Sequence, residues 1–334
     1  MSNRYEYPFK SHYLTINNQK IHYIDEGQGP VIWMMHGMPM WSYVYRKLIP
    51  PLVAAGFRCF VPDLMGFGLS DKPENEHEHT LQSHVAMMAE LISKLKLKNI
   101  VIVGQDWGGP ISLRYALENK SNISGIILLN TFIERFPRNK REQKHDAIIT
   151  GPLPKIYEIL FKSGKLSTYL VCKLDVFRKF VWLKWRTGNP SKALGAGFRR
   201  PVDPRAMQNY MFPNSKAESR YAIAAFAKMI PNSNQHPNAS YINQIKSELE
   251  QWHIPSLVIF PDGDMAWKPE EGMAIAKILT DCEFNLVDNA GHYIQEDAAE
   301  EVALLIIQFM QTKISSAYSD VKNKKQRGKV RGSG

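Results

Sequence analysis

Hydrophobic positions along the chain follow two rhythms. Residues 13–17 and 20–25 alternate apolar and polar side chains about an Asn17-Asn18 pair, which predicts a hairpin. Val31–Met35 is a continuous apolar run between Gly29-Pro30 and Gly37, as expected of a strand buried on both faces. Residues 57–61 read the same way. Behind Thr80, a side chain suited to capping, Leu81, Val85, Met88, Leu91 and Leu95 recur at helical spacing through residue 97. Residues 99–103 and Ile123–Leu129 are two more strands, with a helix over 111–117 between them. Such alternation implies a mostly parallel sheet with helices on both faces.

The rhythm changes after Asn130. As far as about Ile230 the pattern is mainly helical, broken by prolines and rich in aromatics: Phe132, Tyr157, Phe161, Phe180, Trp182, Trp185 and Phe198. A loop-like segment over 231–238 follows. Strands then return at 256–260 and 283–287, and a helix over 298–311 closes the pattern. The economical account is a core in two pieces, residues 1–130 and 231–314, interrupted by a helical cap over 131–230. A basic tail occupies 315–334.

Composition narrows the class of protein. The chain has 334 residues, 44% of them apolar, enough for one such core with an insertion. Its net charge of +10 is unevenly placed: Lys322, Lys324, Lys325, Arg327, Lys329 and Arg331 crowd an end that holds no acid. That end reads as a disordered tail, so neither nucleic acid nor a membrane is expected as a partner. Cys59, Cys172 and Cys282 are too few and too scattered for a disulfide framework or a zinc site, and Cys59 reads as a small strand hydrophobe. No metal or cofactor is expected. With no apolar leader or span, the default location is cytoplasmic, as a monomer or homodimer.

The chemistry concentrates at Gly104-Gln105-Asp106-Trp107-Gly108-Gly109, between a predicted strand and a predicted helix. Small residues on both sides of Asp106 make this a strand-to-helix nucleophile elbow with a carboxylate at its tip. A serine there would attack acyl carbons after losing a proton to a base. A carboxylate is already ionised near neutral pH and can attack a tetrahedral alkyl carbon, leaving an ester on the enzyme. Asp264 and His292 each follow a later strand, on the side of a parallel sheet where sites form. Nucleophile, acid and histidine thus occur in the order Asp106, Asp264, His292, which makes His292 the general base. Asp262 reads as a turn residue. The other place for an acid, after Leu129, holds Asn130 and Thr131, with Glu134 an outside candidate further on. The segment His36-Gly37-Met38-Pro39 follows the strand Val31–Met35. Its Met38 amide and that of Trp107 would form an oxyanion hole, with His36 as a structural brace. The Trp107 indole donates and cannot accept, which suits an anion leaving the attacked carbon.

These motifs resemble the haloalkane dehalogenases of the α/β-hydrolase superfamily. The resemblance extends to His36-Gly-Met-Pro-Met-Trp-Ser-Tyr-Val-Tyr-Arg-Lys47, Pro62-Asp-Leu-Met-Gly-Phe-Gly-Leu-Ser-Asp-Lys-Pro73 and Ala290-Gly-His-Tyr-Ile-Gln-Glu296, and covers about residues 10–130 and 240–312. It implies an α/β-hydrolase fold with a helical cap. It also implies Asp106 as nucleophile, His292 as base, Asp264 as its orienting acid, and Trp107 as a halide ligand. The expected substrate is a small apolar halogenated molecule, with halide ion as a product. Several branches of the family carry an asparagine at the position of Met38 as second halide donor; another recruits a cap tryptophan, for which Trp182 and Trp185 are candidates. Phe198, near that place, has no N–H. Epoxide hydrolases use the same nucleophile with two cap tyrosines, and Tyr157, Tyr169, Tyr210 and Tyr221 are available. A β-lactone decarboxylase is a further alternative, suggested by Leu128-Leu-Asn-Thr131 and His236-Pro237. A ligand receptor without catalysis is a third, and an intact triad argues against it.

Overall fold

A computed structural model of the chain describes residues 4–134, 197–231, 235–264 and 266–314. Eight strands form one sheet in the order β1-β2-β4-β3-β5-β6-β7-β8. They are β1 (His12–Ile16), β2 (Gln19–Glu26), β3 (Val31–Met35), β4 (Arg58–Pro62), β5 (Ile100–Gln105), β6 (Ile123–Leu129), β7 (Pro255–Pro261) and β8 (Asp281–Val287). The expected hairpin is β1–β2, turned on Asn17 and Asn18 at φ of 49° and 62°, the left-handed region that asparagine tolerates. β2 also runs antiparallel to β4, and every later pairing is parallel.

The apolar runs are explained by burial on two faces. All five residues of β3 are buried, and successive side chains point to opposite sides. Ile32 and Met34 join one core with Val101 and Val103, while Trp33 and Met35 join the other with Ile100 and Ile102. Cys59 is buried in β4 among the first group. Helices cover both faces. The helix Leu81–Lys94 begins at Thr80, whose Oγ1 accepts from Ser83 N at 3.0 Å while Thr80 N donates to Ser83 Oγ at 3.0 Å. The helix Gly108–Glu118 connects β5 to β6.

One reading of the sequence is corrected. Segment 231–238 is not loop throughout, because Pro237 opens a helix, Pro237–Leu249, with the His236 ring accepting from Asn238 N at 3.1 Å. Proline suits the first helical position, where its missing N–H costs nothing. Most of this helix is polar, and only Asn238, Ala239, Ile242, Ile245 and Leu249 are buried, which hides its stripe. A second helix, Pro269–Ile278, starts the same way between β7 and β8. The closing helix expected over 298–311 is Ala299–Phe309, continued by a helical turn over Met310–Ile314, and a short helix, Ile294–Asp297, precedes it.

Of the segment expected as the cap, the helices Pro204–Met211 and Tyr221–Met229 are described. Tyr157, Phe161, Tyr169, Cys172, Phe180, Trp182 and Trp185 lie outside the described residues, as does the tail expected over 315–334. Among the described residues no helix is long and apolar enough to cross a membrane. None of their His, Cys, Asp and Glu side chains form a group of three or more able to hold a metal ion.

β4 and β5 flank β3 on opposite sides, so the winding of the chain reverses there. The loops after β3 and β5 leave in different directions and open a crevice at the carboxyl ends of the strands. The His36–Met38 segment and Asp106 meet in it.

Candidate active site

Asp106 is the first residue after β5 and holds φ at 51°, a strained value for a side chain that is neither glycine nor asparagine. Its surroundings hold it there. The Asp106 N–H donates to Asn130 O at 3.1 Å, and its carbonyl accepts from Gly109 N at 3.0 Å and Thr131 Oγ1 at 2.6 Å. The turn also needs close approach of strand and helix. A Cβ on Gly104 would lie 2.7 Å from the Gly109 Cα, so only glycine fits.

The two carboxylate oxygens of Asp106 face different partners. Oδ1 accepts from Met38 N at 2.9 Å, and the Trp107 amide also bonds the carboxylate. Oδ2 lies 3.7 Å from His292 Nε2. Burial pushes the Asp106 carboxyl above its ordinary value, against His292 and the Trp107 and Met38 amides, which favour its charge. The Met38 amide is aimed by its loop. His36 donates from Nδ1 to Gly37 O at 2.9 Å and accepts from Leu64 N on Nε2 at 3.0 Å, so the brace expected of it is what it forms. Gly37 has no room for a side chain: a Cβ there would overlap the Asp106 carboxylate.

His292 follows β8 and donates from Nδ1 to Asp264 Oδ2 at 2.9 Å. The Asp264 side chain is wholly buried, and it accepts also from Asn130 Nδ2 at 2.9 Å and Ala266 N at 2.7 Å. Burial alone would lower the His292 pKa. Asp264 and then Asp106 outweigh it and raise it to about 9. Of the three acids considered, Asp264 alone meets the imidazole. Asp262 accepts from Ala290 N at 3.2 Å in the turn, and Glu134 pairs with Lys246 at 3.0 Å.

Trp107 begins the helix behind the elbow, and its buried indole packs edge-to-face on Phe132 at 5.2 Å and Phe226 at 5.6 Å. Phe198 packs against Tyr293 at 4.7 Å between centroids. Tyr210, one of the tyrosines considered for epoxide chemistry, donates to Glu296 at 2.6 Å inside a buried network with Arg46. His236 caps its helix and donates to Lys228 O at 2.9 Å, a structural use.

Sequence reasoning missed Gln105 and the role of Asn130. Gln105 is wholly buried and its amide nitrogen lies 3.1 Å from His292 Nε2 and 3.3 Å from His292 O. The signal was present: it is the only side chain able to hydrogen-bond strongly in a strand, β5, buried from end to end. Asn130 stands where an acid could have been, and it serves the acid that replaces it.

An aspartate at an elbow, bonded by the Met38 amide on one oxygen and facing a histidine–aspartate pair with the other, defines the class: an α/β-hydrolase with a carboxylate at its elbow. A model of the alpha/beta hydrolase fold matches residues 30–148. A haloalkane dehalogenase of Mycobacterium marinum is 30% identical over 313 residues, covering 90% of this chain and 94% of the relative. A cis-3-alkyl-4-alkyloxetan-2-one decarboxylase of Shewanella oneidensis is 30% identical over 309 residues, covering 91% and 89%. Among solved structures, a tetrameric haloalkane dehalogenase from Paraglaciecola agarilytica superposes with a TM-score of 0.71 at 25% identity, covering 91% of this chain and 94% of that one. The chain belongs to the haloalkane dehalogenase family of the α/β-hydrolase superfamily.

Proposed function

We propose that this protein is a haloalkane dehalogenase that hydrolyses small apolar alkyl halides through a covalent ester on Asp106. One observation carries the reading: the carboxylate is divided between its partners, with Oδ1 on the Met38 amide and Oδ2 turned toward His292. Oδ2 attacks the carbon bearing the halogen, the carbon–halogen bond breaks, and halide leaves with both bonding electrons. The Trp107 indole N–H stabilises that anion. His292, oriented by Asp264, then takes a proton from water as the oxygen attacks Asp106 Cγ. Negative charge develops on Oδ1, which already accepts from the Met38 amide, with the Trp107 amide also bonded to the carboxylate; each such donor is typically worth about 3 kcal/mol. Collapse releases the alcohol and restores the carboxylate. The proton leaves through His292.

Ester formation also tunes the base. Asp106 loses its charge on alkylation, and with it goes one of the two attractions that hold a proton on His292. The ring becomes a freer base in the intermediate that needs one.

Replacing His292 with glutamine and incubating with 1-bromobutane tests the scheme. The alkyl group should remain on the peptide containing Asp106 and be found there by mass spectrometry. A variant that releases halide yet never carries the adduct contradicts it. The decarboxylase relative, equal in identity, supports a second reading in which a β-lactone is the substrate. Carbon dioxide release from a dialkyl β-lactone, with no halide release from alkyl halides, would favour it.

A further inference from the structure

The Gln105 amide nitrogen has two hydrogens and two neighbours on His292, the carbonyl oxygen at 3.3 Å and ring Nε2 at 3.1 Å. The carbonyl can only accept, so it decides which end of the amide faces the loop: turned over, Oε1 would oppose another oxygen. Oε1 itself is buried without a partner, so nothing on its side competes for the orientation. With the nitrogen so placed, its second N–H points at Nε2. That bond exists only if Nε2 has a lone pair, which an imidazolium does not.

We propose that Gln105 is a positioning residue for the hydrolytic step: its N–H bond to Nε2 favours the neutral, Nδ1-protonated His292, the form that can act as base. The proposal rests on His292 being the base of the reading above.

The groups around the ring show why a counterweight matters. Asp264 at the end of β7 and Asp106 after β5 both attract a proton to it. Tyr293, its neighbour in the loop, packs edge-to-face at 5.0 Å. Arg199 lies over Gly263 and Gly291, against the backbone that carries Asp264 and His292. Two carboxylates therefore favour the charged ring, which cannot take a proton from water. A hydrogen bond given to the neutral ring opposes them. When water arrives at Nε2, the amide keeps its second bond, to the carbonyl, and the loop stays in place.

The test follows the ring itself. Selective ¹⁵N labelling of the ten histidines allows His292 to be titrated by NMR in the full chain. In Gln105→Leu, of similar volume and without a donor, its pKa should rise by roughly one unit. Gln105→Glu, whose ionised form can only accept, should hold the ring charged to still higher pH. The acid limb of 1-bromobutane turnover should move alkaline in parallel, with turnover at neutral pH losing more than first-turnover halide release. Gln105→Met serves as the donor-free variant if the leucine form does not fold. A His292 titration unmoved in both the donor-free and the glutamate variants overturns the proposal. A wild-type protein that releases no halide would instead sink the dehalogenase reading and leave the titration to decide the role of Gln105.

Discussion

Asn130 donates its side-chain amide to the same Asp264 oxygen that receives the Nδ1–H of His292, both at 2.9 Å. Two donors on one oxygen hold a buried carboxylate in a fixed orientation. Asn130 follows β6 directly with φ at 38°, a conformation asparagine accepts more readily than most residues. The end of β6 therefore supports the acid at the end of β7.

Asn130→Ala should lower steady-state turnover about tenfold, the loss expected for one hydrogen bond to a charged group. First-turnover halide release should fall much less, because in the proposed scheme Asp264 acts through His292 in the second step. Rapid-quench measurement of halide and alcohol separates the two. Equal losses in both would show that Asn130 supports the whole site and not the base.

Gly37→Ala tests the seating of Asp106, the proposed nucleophile. A methyl group there meets the Asp106 carboxylate and must push it off the Met38 amide. Turnover should fall by roughly a hundredfold or more, as when an oxyanion donor is lost. The melting temperature should fall by only a few degrees, the usual cost of overpacking a buried turn, with the fold retained. Full activity would mean that Oδ1 does not work from that position.

Trp107→Phe removes the indole N–H while keeping an aromatic ring between Phe132 and Phe226. Halide release in the first turnover should slow by roughly a hundredfold. Breakdown of the ester, once formed, should be little changed. An unaffected halide burst would remove Trp107 as a ligand of the leaving group.

Much of this arrangement was legible in the chain because its causes are local. β3 and β6 announce themselves as apolar runs, since strands covered on both faces have no polar side to alternate with. The elbow is marked by small residues that close approach demands. Asp264 and His292 follow their strands, and strand ends are where a parallel sheet gathers a site. What escaped depends on contacts between distant segments. Gln105 looks like one odd residue in a strand until β8 brings His292 beside it. The helices Pro237–Leu249 and Pro269–Ile278 open with proline, a residue that breaks helices within and suits their first turn. His22 and Asp63 lie 41 positions apart and form a buried pair that no spacing discloses.

That pair carries the next expectation. Asp63 is wholly buried and accepts from His22 Nδ1 at 2.8 Å, Ser42 N at 2.7 Å and Leu69 N at 2.8 Å. Burial alone would raise its pKa, but His22 and the other donors bring it to about 2. A carboxyl depressed in the folded state gives stability that is present above its unfolded value, near 3.9, and lost as pH falls toward 2. Urea denaturation should show that loss between about pH 4 and pH 2. Asp63→Asn should destabilise the fold at neutral pH by about 3–5 kcal/mol, as a broken buried pair does. Its acid dependence should be shallower over the same range. An unchanged acid profile would show that other carboxylates dominate.

His292 has the opposite sign, and here stability and catalysis disagree. A histidine raised to about 9 stabilises the fold fully below its unfolded value, near 6.5, and that contribution fades as pH rises through about 9. The proposed hydrolysis needs the neutral ring, so the same rise in pH that weakens the fold would supply the base. Alkylation eases the conflict, because the ester removes the Asp106 charge while leaving that of Asp264. The acid limb of turnover, measured where ester breakdown limits the rate, should therefore lie roughly one unit or more below the His292 midpoint in the free enzyme. Comparing the NMR titration of the resting protein with the pH dependence of alcohol release checks this. Coincident midpoints would mean that the Asp106 charge contributes little to the proton affinity of His292, and that the base is not retuned between the two halves of the reaction.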